Sequence, residues 1–135
     1  LILGKNTYYN DPEDGYEIIL NLSPEDVDHL IKAKNALTDV NNMLITTTKD
    51  FDNNDVCEFI FGDSTGYSNK ISYQMNGDIK ETGISIPYDS DIFKDILNSN
   101  KDQTSGILSL SKQGMLKLNF SSENIYSEYY IARNE

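Results

Sequence analysis

Residues 16–37 read YEIILNLSPEDVDHLIKAKNAL, and residues 83–99 read GISIPYDSDIFKDILNS. Aligned, the two stretches decide the fold. Ile18, Leu20 and Leu22 alternate in the first, and Ile84, Ile86 and Tyr88 alternate in the second, at a constant offset of 66. The same offset carries Val27 onto Phe93, Leu30 onto Ile96 and Ile31 onto Leu97. Alternation marks a strand with one buried face, and the i, i+3, i+4 spacing that follows marks an amphipathic helix. Each half therefore reads strand then helix, and the chain carries an internal repeat.

The first helix has a defined start. Ser23 suits the N-cap, Pro24 the first helical position, and Asp26 can fold back onto the cap. Val27, Leu30, Ile31 and Leu37 form its apolar face, with His29, Lys32 and Ala36 roughly opposite. Lys34 points toward the apolar stripe, where its stem can lie along the core with its charge reaching water. The second helix starts near Asp89 or Ser90 and runs to about Asn100. It buries Ile92, Phe93, Ile96 and Leu97, and turns Lys94, Asn98 and Lys101 outward.

Three strand-like runs follow each helix. In the first half they are NMLITTTK, DVCEFIF and KISYQMN, separated by the turns DFDNND and GDSTGYSN. In the second half they are GILSLSKQ, GMLKLNFS and IYSEYYIA. The pattern is β-α-β-β-β, twice. Two helices cannot alternate with so many strands, so the class is α+β: antiparallel sheet with both helices on one face. Residues 16–135 make one domain, and residues 1–15 read as a linker or lead-in strand.

Composition narrows the function. The 135 residues carry 22 acidic and 11 basic side chains, a net charge of −11. Such a balance favours solubility or a basic partner, and taken alone argues against phosphate binding. The single cysteine, Cys57, excludes an internal disulfide and fits a reducing compartment such as the cytoplasm. No apolar run is long enough to span a membrane. The lone His29 has no Cys or Ser partner at motif spacing, and no phosphate-binding or nucleophile-elbow motif occurs. Asp50, Asp52 and Asn54 alternate as in a calcium loop, but Asp55 stands where that loop needs Gly and Phe61 where it needs Glu. An acidic turn is the expectation there, and a buried structural thiol at Cys57. Neither an enzyme, a cofactor nor a metal site is expected.

A duplicated β-α-β-β-β unit of this length resembles the building block of DNA sliding clamps. The run IPYDSDIFKDILNSNKDQTSGILSLSKQGMLKLNFSSENIYSEYYIAR is similar to the final half-domain of the polymerase processivity clamp of T-even-type bacteriophages. EDVDHLIKAKNAL resembles the first helix of that clamp's C-terminal domain. The ending YYIA resembles the Tyr-Tyr-Leu-Ala end of proliferating cell nuclear antigen. The resemblance covers about residues 16–133.

The resemblance implies a non-enzymatic processivity factor: a ring of three two-domain subunits that encircles duplex DNA. This chain would be the C-terminal domain of one subunit, with residues 1–15 taken from the connector; the absence of a starting Met fits that. Lys32, Asn35, Lys94, Asn98 and Lys101 would occupy the DNA-facing helices, where Asp28 and Asp39 share the exposed side. Polymerase, clamp loader and other replication proteins would dock short peptides in a pocket matching Met115, Tyr130, Ile131 and Ala132. Relatives often carry Pro or Leu where this chain has Arg133. The alternative is an acidic protein-interaction module, or a DNA mimic that sequesters a basic partner.

Overall fold

The computed structural model describes residues 2–3, 12, 15–62, 69–103 and 105–134. The middle of the turn expected at residues 62–69, and most of the lead-in at residues 1–15, lie outside the described residues. The first repeat runs β2 (Ile18–Leu22), α1 (Pro24–Asn35), β3 (Asn42–Lys49), β4 (Asp55–Gly62) and β5 (Lys70–Met75). The second runs β7 (Ser85–Asp89), α2 (Ser90–Ser99), β8 (Ser105–Leu110), β9 (Leu116–Ser122) and β10 (Ile125–Ile131). Two short strands add to this pattern, β1 (Ile2–Leu3) and β6 (Asp78–Ile79).

The helix ends follow from local chemistry. Asp26 N–H donates to Ser23 Oγ at 3.0 Å and Ser23 N–H donates to Asp26 Oδ2 at 3.0 Å, closing a capping box in front of Pro24. Asp89 caps α2 by itself, accepting from Asp91 N at 2.9 Å and Ile92 N at 3.0 Å. Leu37, expected on the α1 apolar face, lies just past the helix end and is half-buried.

All pairings are antiparallel, but the strands form two sheets rather than one. One has the order β1-β10-β9-β8-β2-β6 and the other β5-β4-β3-β7. The reason is an exchange that alternation cannot reveal. β2 leaves its own repeat and pairs with β8, Leu20 opposite Leu108. β7 does the reverse and pairs with β3, Ile86 opposite Ile45. Each helix is thus a crossover from one sheet to the other. The helices lie side by side, α1 against β2 and β5, α2 against β3 and β7.

One apolar core joins everything. Ile18, Leu20, Ile45, Phe59, Leu97, Leu108 and Leu118 are all fully buried within a single cluster. Phe59 of β4 stacks on Phe93 of α2, ring centres 6.0 Å apart, so the aromatic centre links the two repeats. Burial pushes the Cys57 thiol up to about 12, with the charge of Glu58 adding to it, so the thiol is inert in the core. Among the described residues, no helix is long and apolar enough to cross a membrane.

Candidate functional site

Two regions carry polar side chains that the fold itself does not consume. The first is the outward side of the helix pair. Lys32, Asn35, Asn98 and Lys101 are exposed and Lys94 is half-buried, with Lys101 just beyond the end of α2. Lys32 Nζ holds Asp28 one turn earlier, at 2.9 Å. That hydrogen bond, then the charges of Lys32, His29 and Lys101, keeps Asp28 below its usual carboxylate range. The charge of Lys101 reaches Asp28 of the neighbouring helix, and α1 and α2 pack against each other.

This surface is not basic overall. Glu25, Asp28, Asp91, Asp95 and Asp102 are exposed among its lysines, and Asp39 is exposed beyond α1. Lys34 is withdrawn from it. Its stem is buried as the sequence implies, but Nζ does not reach free water: it meets Asp91 of α2 at 3.2 Å and donates to Leu37 O at 3.3 Å. The pair ties the end of one helix to the start of the next.

His29 sits beside this surface with Nδ1 3.3 Å from the Tyr73 hydroxyl. Tyr73 in turn donates to Asp26 Oδ1 at 2.7 Å. Burial, then the Asp26 bond, pushes the Tyr73 phenol up to about 12. The cluster joins the α1 capping box to β5, with Asp26 bonded to Ser23 as well as to Tyr73. No group of three or more His, Cys, Asp or Glu side chains converges as a metal site among the described residues. In the DFDNND turn, Asp50 Oδ1 accepts from Asp52 N and Asn54 N at 2.9 Å each, which is a turn-closing role.

The second region lies where the β8–β9 turn meets the chain's tail. An open cavity of about 270 Å³ is lined by Met115 and Ala132, with Pro12 of the lead-in segment, Ser111, Gly114 and Arg133 around them. The turn is rigid. Ser111 N–H donates to Met115 O at 2.9 Å, Gly114 N–H to Ser111 O at 2.9 Å, and Met115 N–H to Ser111 Oγ at 3.2 Å. Gly114 has φ 111°, open to glycine and strained for other residues. A Cβ there would also lie 2.7 Å from Arg133 Cδ, so the Arg133 stem rests directly on the glycine.

Behind the cavity, the Tyr88 hydroxyl donates to Gly114 O at 2.7 Å in a buried bond that spans the two sheets. Burial raises the Tyr88 phenol well above its usual range, against a smaller opposing effect from Arg133. Asn134 N–H donates to Pro87 O and its side chain to Asn42 Oδ1, both at 2.9 Å, which straps the tail across to β7 and β3.

Of the four residues expected at a pocket, Met115 and Ala132 are on the cavity wall, whereas Tyr130 and Ile131 are buried and do not line it. Ile131 joins the core. Tyr130 lies under Lys117 Nζ, 5.6 Å from the ring centre, and donates to Glu128 Oε1 at 2.9 Å. β1 pairs with β10 at these two residues, Ile2 opposite Ile131 and Leu3 opposite Tyr130. Pro12, Ser111 and Gly114 were missed in the sequence. The glycine of the Ser-Lys-Gln-Gly-Met turn was the available signal; the contribution of Pro12 depends on a chain path that no local pattern encodes.

The chain is similar in structure to proliferating cell nuclear antigen from Entamoeba histolytica, with a TM-score of 0.70 and 18% identity over 96% of this chain and 50% of that one. The fold is that of a sliding clamp. A β clamp from Helicobacter pylori bound to a DNA ligase peptide matches with a TM-score of 0.59 and 16% identity, over 96% of this chain and 34% of that one. The DNA polymerase III β subunit from Thermotoga maritima matches at 0.61 and 10% identity, over 96% of this chain and 35% of that one. The chain thus spans half the length of the first sliding clamp and about a third of the other two. No protein-family model and no curated protein sequence matches it.

Proposed function

We propose that this chain is a domain of a DNA polymerase processivity factor. Its subunits close into a ring of three, in the manner of the T-even bacteriophage clamp that its C-terminal run resembles. The helix pair faces the enclosed duplex, with Lys32, Asn35, Lys94, Asn98 and Lys101 nearest the phosphates. The protein performs no chemistry: it holds polymerase, clamp loader and other replication proteins on DNA. The observation that carries this reading is the cavity between the β8–β9 turn and the tail, on a clamp fold whose helices expose a separate polar surface. A structural neighbour binds a ligase peptide, and short apolar peptides are the occupants proposed for this cavity.

The test is to block the cavity without touching the core. Ala132 is only half-buried on the cavity wall, so Ala132→Arg should leave the fold intact. It should reduce the processivity of the cognate polymerase in primer extension to near the level without clamp. Unchanged extension lengths, with an unchanged circular dichroism spectrum, would remove the docking assignment.

The acid among the helix lysines favours a second reading, an interaction module or DNA mimic that binds a basic partner. Lys32→Glu with Lys94→Glu separates the two. The clamp reading predicts weaker retention on DNA, whereas a mimic would bind its basic partner more tightly.

A further inference from the structure

We infer that Asn76–Gly77 is a site of spontaneous backbone modification, where the Asn76 side-chain amide is lost and the chain is rerouted through an isoaspartate. Asn76 is the only asparagine in the sequence that is followed by glycine. The pair is the whole link between β5, at the edge of the four-stranded sheet, and β6, at the edge of the six-stranded one. The fold itself demands that glycine. A Cβ on Gly77 would lie 2.2 Å from Leu20 Cδ2 and 2.8 Å from Ile19 O, so no other residue fits there without a shift in β2. Asn76 is exposed. It borders an open hollow of about 170 Å³ with Gln74 and Asp50, through which water enters and ammonia leaves.

The deciding group is the Gly77 N–H. The β4–β5 ladder ends at Met75 and the β2–β6 ladder begins at Asp78. Between them, the N–H groups of Asn76 and Gly77 make no backbone hydrogen bond among the described residues. No ladder acceptor therefore holds the Gly77 proton, and solvent hydroxide can remove it. The deprotonated Gly77 N attacks Asn76 Cγ, with no side chain on Gly77 to obstruct it. The N–Cγ bond forms, the Cγ–Nδ2 bond breaks, and Nδ2 leaves as ammonia with a proton from water. Water then opens the cyclic imide. Cleavage at Cγ gives aspartate, and cleavage at the Asn76 backbone carbonyl carbon gives isoaspartate. Either product adds a carboxylate, and isoaspartate also adds one atom to the main chain of the link. The link has only two residues, and β6 is held to β2 by two paired positions and the bond from Lys80 N–H to Glu17 O at 2.8 Å. Lengthening the link releases β6 from β2.

The test incubates the full chain at mildly alkaline pH, with its fold followed by circular dichroism, and then digests it with trypsin. The peptide Ile71–Lys80 should gain the mass of an amide-to-acid exchange, and an isoaspartate-specific carboxyl methyltransferase should label it. The rate should rise toward about tenfold per pH unit, as the deprotonated fraction of the amide does. Asn76→Ser should lose the label completely, and no other asparagine should convert on the same timescale. In the converted chain, the Lys80 amide hydrogen should exchange faster relative to amides in β3 and β4. An Asn76 that stays intact in the folded chain but converts in urea would show that the fold protects the link, which overturns the inference. A label that survives in Asn76→Ser overturns it as well. Unchanged Lys80 exchange in the fully converted chain overturns the release of β6.

Discussion

The two repeats share a topology and differ at their outer edges. β5, which ends the first repeat, has no strand on its outer side among the described residues, and its residues alternate between exposed and half-buried until Met75. β10, which ends the second, is flanked by β9 and β1, and its terminus runs into the cavity and the tail strap. Their interiors are equivalent: Leu22 and Tyr88 hold the same repeat position, both buried. Yet only Tyr88 carries a hydroxyl, and that hydroxyl supports the cavity turn. The two halves share one core, and they differ at the rims.

The deepest substitution probes whether the halves are one folding unit. Phe59 belongs to the first repeat and stacks on Phe93 of the second. Phe59→Ala should lower stability by about 3–5 kcal/mol through lost transfer and a residual cavity. It should shift a single transition in urea melts followed by circular dichroism. Two separable transitions, with only one displaced, would show that the repeats fold independently.

A smaller effect should distinguish Tyr88 from its counterpart. Tyr88→Phe keeps the ring but leaves Gly114 O without its donor, at a cost of about 1–3 kcal/mol for a buried unsatisfied group. It should also weaken peptide docking, because Gly114 forms part of the cavity. Leu22→Ile, at the equivalent position, should leave docking unchanged. An equal loss of docking in both variants would show that the cavity responds to general loosening and not to this bond.

The two helix caps sharpen the comparison at the next level down. Asp26→Ala and Asp89→Ala should each cost about 1 kcal/mol at neutral pH. Asp26 carries a pH-dependent signature of its own. Burial raises its pKa, but the bonds from Tyr73 and Ser23 outweigh this and set it below the ordinary value of 3.8. A lowered native-state pKa means a stabilising contribution that is full above 3.8 and lost as pH falls through the native value. The stability gap between wild type and Asp26→Asn should therefore close as pH drops below that point. A gap that stays constant down to pH of about 2 would contradict the assignment.

Much of the fold could be read from the repeat. The offset of 66 located both strand–helix units, and Ser23, Pro24 and Asp26 located the α1 start to the residue. The exchange of β2 and β7 between sheets could not be read, because alternation tells which face of a strand is buried and not which strand lies beside it. Nor could β1 and β6, whose two residues each are too short for any periodicity. Lys34 was legible as a buried stem, but its bond to Asp91 joins residues 57 positions apart and needed the packing of α1 on α2. At the cavity, Met115 and Ala132 came from the resemblance. The burial of Tyr130 and Ile131 is what alternation along an inner strand would predict for Ile131, whereas Tyr130 is covered by the pairing of β1 and by Lys117.

We propose that this chain belongs to a ring that encloses DNA rather than gripping it, and one measurement addresses that directly. The protein is incubated with a linear duplex, both ends are then sealed with bulky protein caps, and excess protein is washed away. Retention is compared before and after one end is freed by a restriction cut, at constant salt. Enclosure predicts stable retention on the sealed duplex and rapid loss once the end is open. Retention that ignores the cut, or absence of retention on the sealed duplex, would contradict it.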